Sequence, residues 1–267
     1  MKSTFFTLLF FFFLTTLVAQ TPKRIVSLAP SLTKSLYYLG ADDVLVGHTV
    51  FCNIAKDDGK EIVASAIQVN VEKVITLKPD LVLVHSITRS QTIDLLKKAG
   101  LRVELFNTPR SYDEVCSQFI ELGKIVGKEK LAQKIVFETT QQVDSIRNTY
   151  KNKPLQKMLF QIGAKPLFTV LDNTYMADFI TFSGGVNIAA GLTGGTITRE
   201  FVLMKNPDAI IIVDMGITGE DEIKIWQNYP DLSAVKHEKI FFIESDMAST
   251  PNPPDFLMTM KALRENL

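Results

Sequence analysis

A serine and a lysine one helical turn apart open the chemistry of this chain. Ser31-Leu32-Thr33-Lys34 spells S-x-x-K, the spacing at which a lysine can activate a serine for acyl transfer. The companion motifs S-D-N and K-T-G are absent from the sequence. Ser31 therefore reads as a helix cap on a loop that faces a cleft. Capture of a free metal ion needs several imidazole, thiolate or carboxylate ligands converging on one point. The chain offers only His48, His85 and His237 with Cys52 and Cys116, widely separated, and His237 lies in a charged stretch. The glycines at 184, 185, 191, 194 and 195 form neither G-x-G-x-x-G after a strand nor a P-loop. No nucleophile–base pair and no acid–base pair stands out, so the chain does not read as an enzyme.

Glu72 and Glu200 make a different kind of pair, because the sequence around them is said twice. Glu72, Val74, Ile75, Pro79-Asp80, Val82 and Val84 recur in order as Glu200, Val202, Leu203, Pro207-Asp208, Ile210 and Ile212. Each copy reads as a short helix stopped by proline, then Asp, then an apolar run typical of a buried parallel strand. Asn70 and Thr198 stand two residues before the glutamates as N-caps. Both carboxylates thus fall in a first helical turn, where the dipole favours negative charge. Two equivalent acidic marks on two similar units fit a partner that reads both at once.

Further strand-like runs alternate with helical stretches. The first set lies at 24–28, 44–50, 81–84 and 102–105, and the second at 158–162, 210–213 and 240–243. Alternation of this kind implies α/β lobes with parallel sheets. Between the sets, 128–150 contains no Pro or Gly, and Leu131, Ile135, Thr139, Gln142, Ile146 and Tyr150 recur at helical spacing. One helix of about 23 residues, roughly 35 Å long, would act as a stiff spine between the lobes. The expected organisation is a leader over 1–19, an N-terminal lobe over 20–127, a linking helix over 128–151 and a C-terminal lobe over 152–267.

The leader carries Lys2 and an apolar run over 5–18, too short to span a bilayer and suited to a secretory signal cut after Ala19. No cysteine near that point could carry a lipid, so the expected product is exported and periplasmic. Over the full chain 29 basic and 29 acidic residues cancel, which leaves no basic stripe for nucleic acid. An exported compartment permits a disulfide, but nothing in the sequence brings Cys52 next to Cys116.

RIVSLAPSLTKSLYYLG (24–40) followed by VGHTVFCN (46–53) resembles the opening of class III, helical-backbone, substrate-binding proteins of ABC importers. The similarity runs on through NVEKVITLKPDLVLV, FQIGAKPLFT, FSGGVNIAAGL and TREFVLMKNPDAIII to LSAVKHEKIFFIESDMAS, covering essentially the whole mature chain. Among subfamilies it looks most like the cobalamin binders. The resemblance implies two Rossmann-like lobes with parallel sheets joined by one long spine helix. It also implies a monomer without a resident cofactor, and a corrinoid or other metal-chelate ligand held between the lobes.

By the same resemblance, Glu72 and Glu200 fall on the family's glutamates that dock onto the permease subunits. Loops at the carboxyl ends of strands would line the cleft. In the first lobe these carry Pro30, Ser31, Phe51 to Asn53, His85, Ser86 and Asn107 to Pro109. In the second they carry Gly163 to Phe168, Met215-Gly216 and Asp246 to Ser249. Phe51, His85 and Phe168 fall on ring-contacting positions and Asp246 on a polar contact. Aromatic faces suit a flat macrocycle. His85 as neutral imidazole, or Cys52 as thiolate, could ligate the metal of a bound corrinoid or haem.

Departures from the cobalamin pattern are specific. Its tryptophans are replaced by His85, Ala66 and Gly194, Trp226 lies outside the matched motifs, and Ser183 stands where one half of a disulfide would be. Haem or a ferric siderophore is the alternative ligand, with Tyr175 as the candidate axial residue for haem. An exported hydrolase or sensor on the same fold, resting on Ser31, is the alternative of another class.

Overall fold

The computed structural model describes residues 21–65, 68–214 and 219–267. The leader over 1–19, Ala66 and the Met215-Gly216 pair lie outside these described residues. The first sheet comprises β1 (Ile25–Ser27), β2 (Leu45–Thr49), β3 (Glu61–Ala64), β4 (Leu81–His85) and β5 (Val103–Phe106). Its order is β3-β2-β1-β4-β5 and every pairing is parallel. Helices α1 (Pro30–Tyr38), α2 (Asn53–Asp57), α3 (Val71–Thr76), α4 (Ser90–Lys98) and α5 (Tyr112–Ile125) connect and follow these strands. Helix α6 (Glu129–Tyr150) then leads to the second sheet.

That sheet holds β6 (Gln156–Ala164), β7 (Leu167–Thr169), β8 (Gly185–Asn187), β9 (Ala209–Asp214) and β10 (Ile240–Glu244). Its helices are α7 (Tyr175–Phe182), α8 (Arg199–Lys205), α9 (Gly219–Gln227), α10 (Ser233–Lys236), α11 (Ser245–Ala248) and α12 (Pro253–Asn266). The second sheet is mixed. Strand β6 pairs in parallel with β9 on one side, while its other side meets β8 in parallel and β7 antiparallel. The parallel pairing expected of both lobes holds except at the β6–β7 hairpin, where one strand folds straight back on its neighbour.

The apolar runs are continuous because both faces of each central strand are covered. Leu81 and Leu83 pack with α1 and α5 on one side of the first sheet, while Val82 and Val84 enter a separate core on the other. Met158, Phe160, Ile211 and Val213 likewise face one core of the second lobe, and Leu159, Ile210 and Ile212 the other. Each such side chain contributes about 1.5–3 kcal/mol on burial.

The spine forms as the sequence implies, at 22 residues, with its register adjusted. Ala132, Thr139, Val143, Ile146 and Tyr150 are buried, whereas Leu131 and Gln142 are exposed. It does not act alone. On α5, Tyr112, Val115 and Cys116 enter the second lobe's core, while Phe119 and Leu122 enter the first's. Two packed helices thus feed both lobes, a stiffer junction than one helix would make.

The repeat has a structural half. Asp80 Oδ2 accepts the backbone N–H groups of Lys23 (2.8 Å) and Arg24 (3.0 Å), just ahead of β1. Asp208 Oδ2 accepts that of Lys157 at 2.8 Å, at the start of β6. Each Pro-Asp therefore stitches its own strand to the one beside it. The caps are also as expected: Asn70 Oδ1 accepts from Lys73 N at 2.9 Å and Thr198 Oγ1 from Phe201 N at 3.2 Å.

Candidate functional site

Pro30 takes the first position of α1, where its missing N–H costs nothing. Ser31 follows it and is buried, and the N-cap is Ala29, which makes no side-chain cap. Ser31 is thus not the cap its sequence implied, because proline fixes the helix start one residue earlier. Lys34, one turn on, reaches across to the second lobe. Its Nζ donates to Asp246 Oδ2 at 2.7 Å and to the Asp246 carbonyl at 2.9 Å, and lies 3.0 Å from Asp255 Oδ2. All three ammonium protons have acceptors, which leaves no free amine to activate Ser31.

Asp255 is the centre of this junction. It is fully buried at the start of α12, and its Oδ2 also accepts from Thr250 Oγ1 (2.8 Å) and Asn252 Nδ2 (2.6 Å). Tyr38 donates its hydroxyl to Oδ1 at 2.6 Å. Burial, then the bond to Asp255, pushes the Tyr38 phenol well above its ordinary value, so it stays a donor. Lys34 and Tyr38 from α1 thereby clamp the first lobe to a carboxylate of the second. Sequence reading missed this node. The only local signal was Asn252-Pro-Pro-Asp255, an N-cap with an acid three residues on, and the cap is observed: Asn252 Oδ1 accepts from Asp255 N at 2.9 Å.

Asp246, on α11, is tied through one oxygen to Lys34 yet its side chain remains 47% exposed. His85 ends β4 and is buried, its Nδ1 3.5 Å from Thr108 Oγ1. Burial holds its imidazole below the ordinary value, so it is neutral near pH 7. Phe51 stands 56% exposed in the loop after β2. Cys52 beside it turns into the first lobe's core, with Thr49 Oγ1 3.4 Å from its sulfur, and does not offer a thiolate to the cleft. Both cysteines are free and buried, in separate cores.

Phe168 is 39% exposed on β7. Two glycines make room for it. A Cβ at Gly163 would stand 2.9 Å from the Phe168 Cβ, and one at Gly195 would stand 2.5 Å from the ring. Gly195, read in the sequence only as part of a failed phosphate loop, and Gly163, read as a cleft-loop residue, together seat this aromatic ring. No ring contact joins Phe51 to Phe168 among the described residues. A groove of about 700 Å³ does cross between the lobes, lined by Ser86, Asn107, Thr108 and Arg110 on one side and Asn173 and Thr174 on the other. Phe51, Phe168 and Asp246 do not line it. Tyr175 is buried, and its hydroxyl donates to the Ala248 carbonyl at 2.9 Å, so it cannot serve as an axial ligand.

Glu72 and Glu200 both stand exposed in the first turns of α3 and α8. Among the described residues neither makes an ion pair, because the adjoining cations are engaged elsewhere. Lys73 holds Glu61 at 2.7 Å, and Arg199 pairs with buried Glu222. The Glu200 carboxyl is held below the usual range by its own backbone N–H and then by Thr198.

Two α/β lobes joined through a helix pair, with a groove between them, are the architecture of a two-lobed binding protein. The chain belongs to the periplasmic binding protein family, whose model matches residues 25–247. It is 32% identical, over 88% of this chain and 77% of the relative, to an uncharacterized ABC transporter substrate-binding lipoprotein of Bacillus subtilis. It is 30% identical to the vitamin B12-binding protein of Yersinia pestis, over 74% of this chain and 72% of that protein. A solved structure described as a possible iron-binding (periplasmic solute-binding) protein of Staphylococcus epidermidis superposes with a TM-score of 0.80 at 29% identity. It covers 92% of this chain and 99% of that one. All three are described as binding proteins for a substrate or solute.

Proposed function

We propose that the chain is an exported, monomeric receptor that binds a corrinoid between its lobes and presents it to the permease of an ABC importer. The observation that carries this reading is the pair of aromatic faces held toward solvent on the two lobes, Phe51 and Phe168, the latter seated on glycine. A flat macrocycle buries a large area against such faces at little entropic cost. Neutral His85, Pro30 and Ser31 complete the first lobe's wall, and the free oxygen of Asp246 supplies an acceptor for an amide at the rim. The relative named for vitamin B12 supports the corrinoid, and the one described as iron-binding keeps a ferric chelate as the second reading. That second reading lacks an arginine cluster: Arg110 is the sole arginine lining the interlobe groove among the described residues.

Glu72 and Glu200 are assigned to docking on basic residues of the two permease subunits. Exposed ion pairs contribute only about 0.2–1 kcal/mol each, and two of them fix register and speed encounter more than they add affinity. Isothermal titration with cyanocobalamin, haemin and a ferric siderophore tests the ligand. Saturable 1:1 binding of cyanocobalamin alone is expected, whereas preference for either of the others discards the corrinoid. The double variant Glu72→Ala/Glu200→Ala should bind ligand normally and lose permease-dependent uptake. Normal uptake in that variant would remove the docking assignment.

A further inference from the structure

Trp226 is the single tryptophan of the chain, is fully buried, and donates its indole N–H to Gln161 Oε1 at 2.8 Å. Gln161 is itself fully buried, in a β6 otherwise built from Met158, Leu159 and Phe160 at this depth. An amide there loses its hydration, and each polar atom left without a partner would cost about 1–3 kcal/mol. Its Nε2 donates to the carbonyl of Gly163, two residues along its own strand, at 3.2 Å. The β6–β7 register shifts at that same step: Gln161 lies opposite Thr169, and Gly163 opposite Phe168. Such a bulge re-aims the side chains beyond it. Here the side chain beyond it is Phe168. Trp226 is fixed from its other side by Arg199, whose guanidinium carbon lies 4.5 Å from the centre of the ring and which also pairs with Glu222.

We propose that Gln161 and Trp226 are positioning residues for the ligand-facing Phe168. The indole orients the buried amide, the amide pins the bulge at Gly163, and the bulge sets where Phe168 meets the ligand. The ligand part of this inference rests on the reading of Phe168 as a contact, whereas the positioning part does not. Trp226 is also a built-in optical reporter of the hairpin, since no other tryptophan contributes emission.

The test uses Gln161→Met, which keeps length and apolar bulk but removes both bonds, and Trp226→Phe, which removes the indole N–H together with part of the ring. Amide hydrogen exchange is followed on ligand-free protein, comparing 163–169 with the central strand β9. The expected result is exchange roughly ten-fold faster in 163–169, with β9 unchanged, in both variants. Unchanged protection of the hairpin overturns the proposal. So does an equal rise in β9, which would mark the pair as ordinary core. Titration with cyanocobalamin is run beside it, where a weakening of about ten-fold in Gln161→Met is expected. If the wild type binds and the variant binds equally well despite a loosened hairpin, positioning has no bearing on recognition and the proposal falls. If the wild type binds no cyanocobalamin, the corrinoid reading is the part that fails, and the exchange comparison still decides whether Gln161 and Trp226 set the hairpin.

Discussion

Lys34→Met is the substitution that most sharply probes how the lobes are joined. Methionine keeps most of the aliphatic stem, so the change is chiefly the loss of the ammonium and its three contacts at 2.7, 2.9 and 3.0 Å. The two carboxylates lose unequally. Asp246 is half exposed and regains water, so its share is the small value of an exposed pair, about 0.2–1 kcal/mol. Asp255 is fully buried and keeps Tyr38, Thr250 and Asn252 as donors, but no cation. Removing one partner of a buried pair costs about 3–5 kcal/mol when the charge is left uncompensated. Three surviving hydrogen bonds reduce that, which leaves about 2–4 kcal/mol in total.

For a chain of this size that is a fall in Tm of roughly 5–15 °C, measured by circular dichroism and by Trp226 emission on the same sample. Asp246→Asn, which keeps an acceptor for Lys34, should cost under about 1 kcal/mol. A loss below about 1 kcal/mol for Lys34→Met would refute the reasoning. It would mean that Asp255 never needed the cation and that the lobes are held by apolar packing of α5 and α6 alone.

Three further outcomes follow from single groups. Ser183 is fully buried and its hydroxyl has no partner among the described residues, so Ser183→Ala should stabilise the fold by about 1 kcal/mol in urea titration; a loss would show that the hydroxyl is satisfied. Burial lowers the His85 pKa from its ordinary 6.5, so below that pH the unfolded chain takes up a proton the native one refuses. Stability should therefore fall as pH drops below about 6.5, by at most about 1.4 kcal/mol per unit, and His85→Gln should flatten that slope; an unaltered slope would assign it to other groups. Gly195→Ala places a methyl 2.5 Å from the Phe168 ring, and displacing that face should weaken cyanocobalamin binding roughly 2- to 10-fold; unchanged affinity would take Phe168 out of the site.

What was legible in the sequence is what burial writes into it. Strands covered on both faces carry unbroken apolar runs, which marks β1, β2, β4, β6 and β9; the edge strands β5 and β10 keep enough apolar residues to read as strands although Leu105 and Phe242 are exposed. Strands β3, β7 and β8 are three or four residues long, and each holds an exposed residue: Glu61 and Ile62, Phe168, and Val186. Nothing apolar or periodic marks such segments off from loop. The Lys34 node was invisible for a different reason. A lysine on a short helix reads as solvated, and its partners lie more than two hundred positions along the chain, brought to it only by the packing of two lobes. Gly195 left a trace, as one of five glycines within twelve positions, but glycine spacing alone does not say which ring it makes room for.

The repeated motif shows how structure and contact can be separated within one pattern. Both aspartates are taken up by hydrogen bonds within the fold: Asp80 by two backbone amides at β1, Asp208 by one at β6 and by the Ser233 hydroxyl at 3.0 Å. A strand-stitching role accounts for them fully. Glu72 and Glu200 have no such account. A first-turn glutamate gains a few tenths of a kcal/mol from the helix dipole, yet Asn70 and Thr198 already cap these helices. The cation next to each is drawn off to a different acid. Local stability would be served equally well by Glu at other first-turn positions, or by pairing with that neighbouring cation. Two carboxylates kept exposed at matching places on two lobes, with no ion pair among the described residues, are therefore better explained by something outside the chain. The reading is sharpest at Lys73→Ala, which frees Glu61 and leaves Glu72 untouched. That variant should leave uptake unchanged, and Glu72→Gln should reduce it; the reverse order would assign the docking charge to the Lys73–Glu61 pair instead.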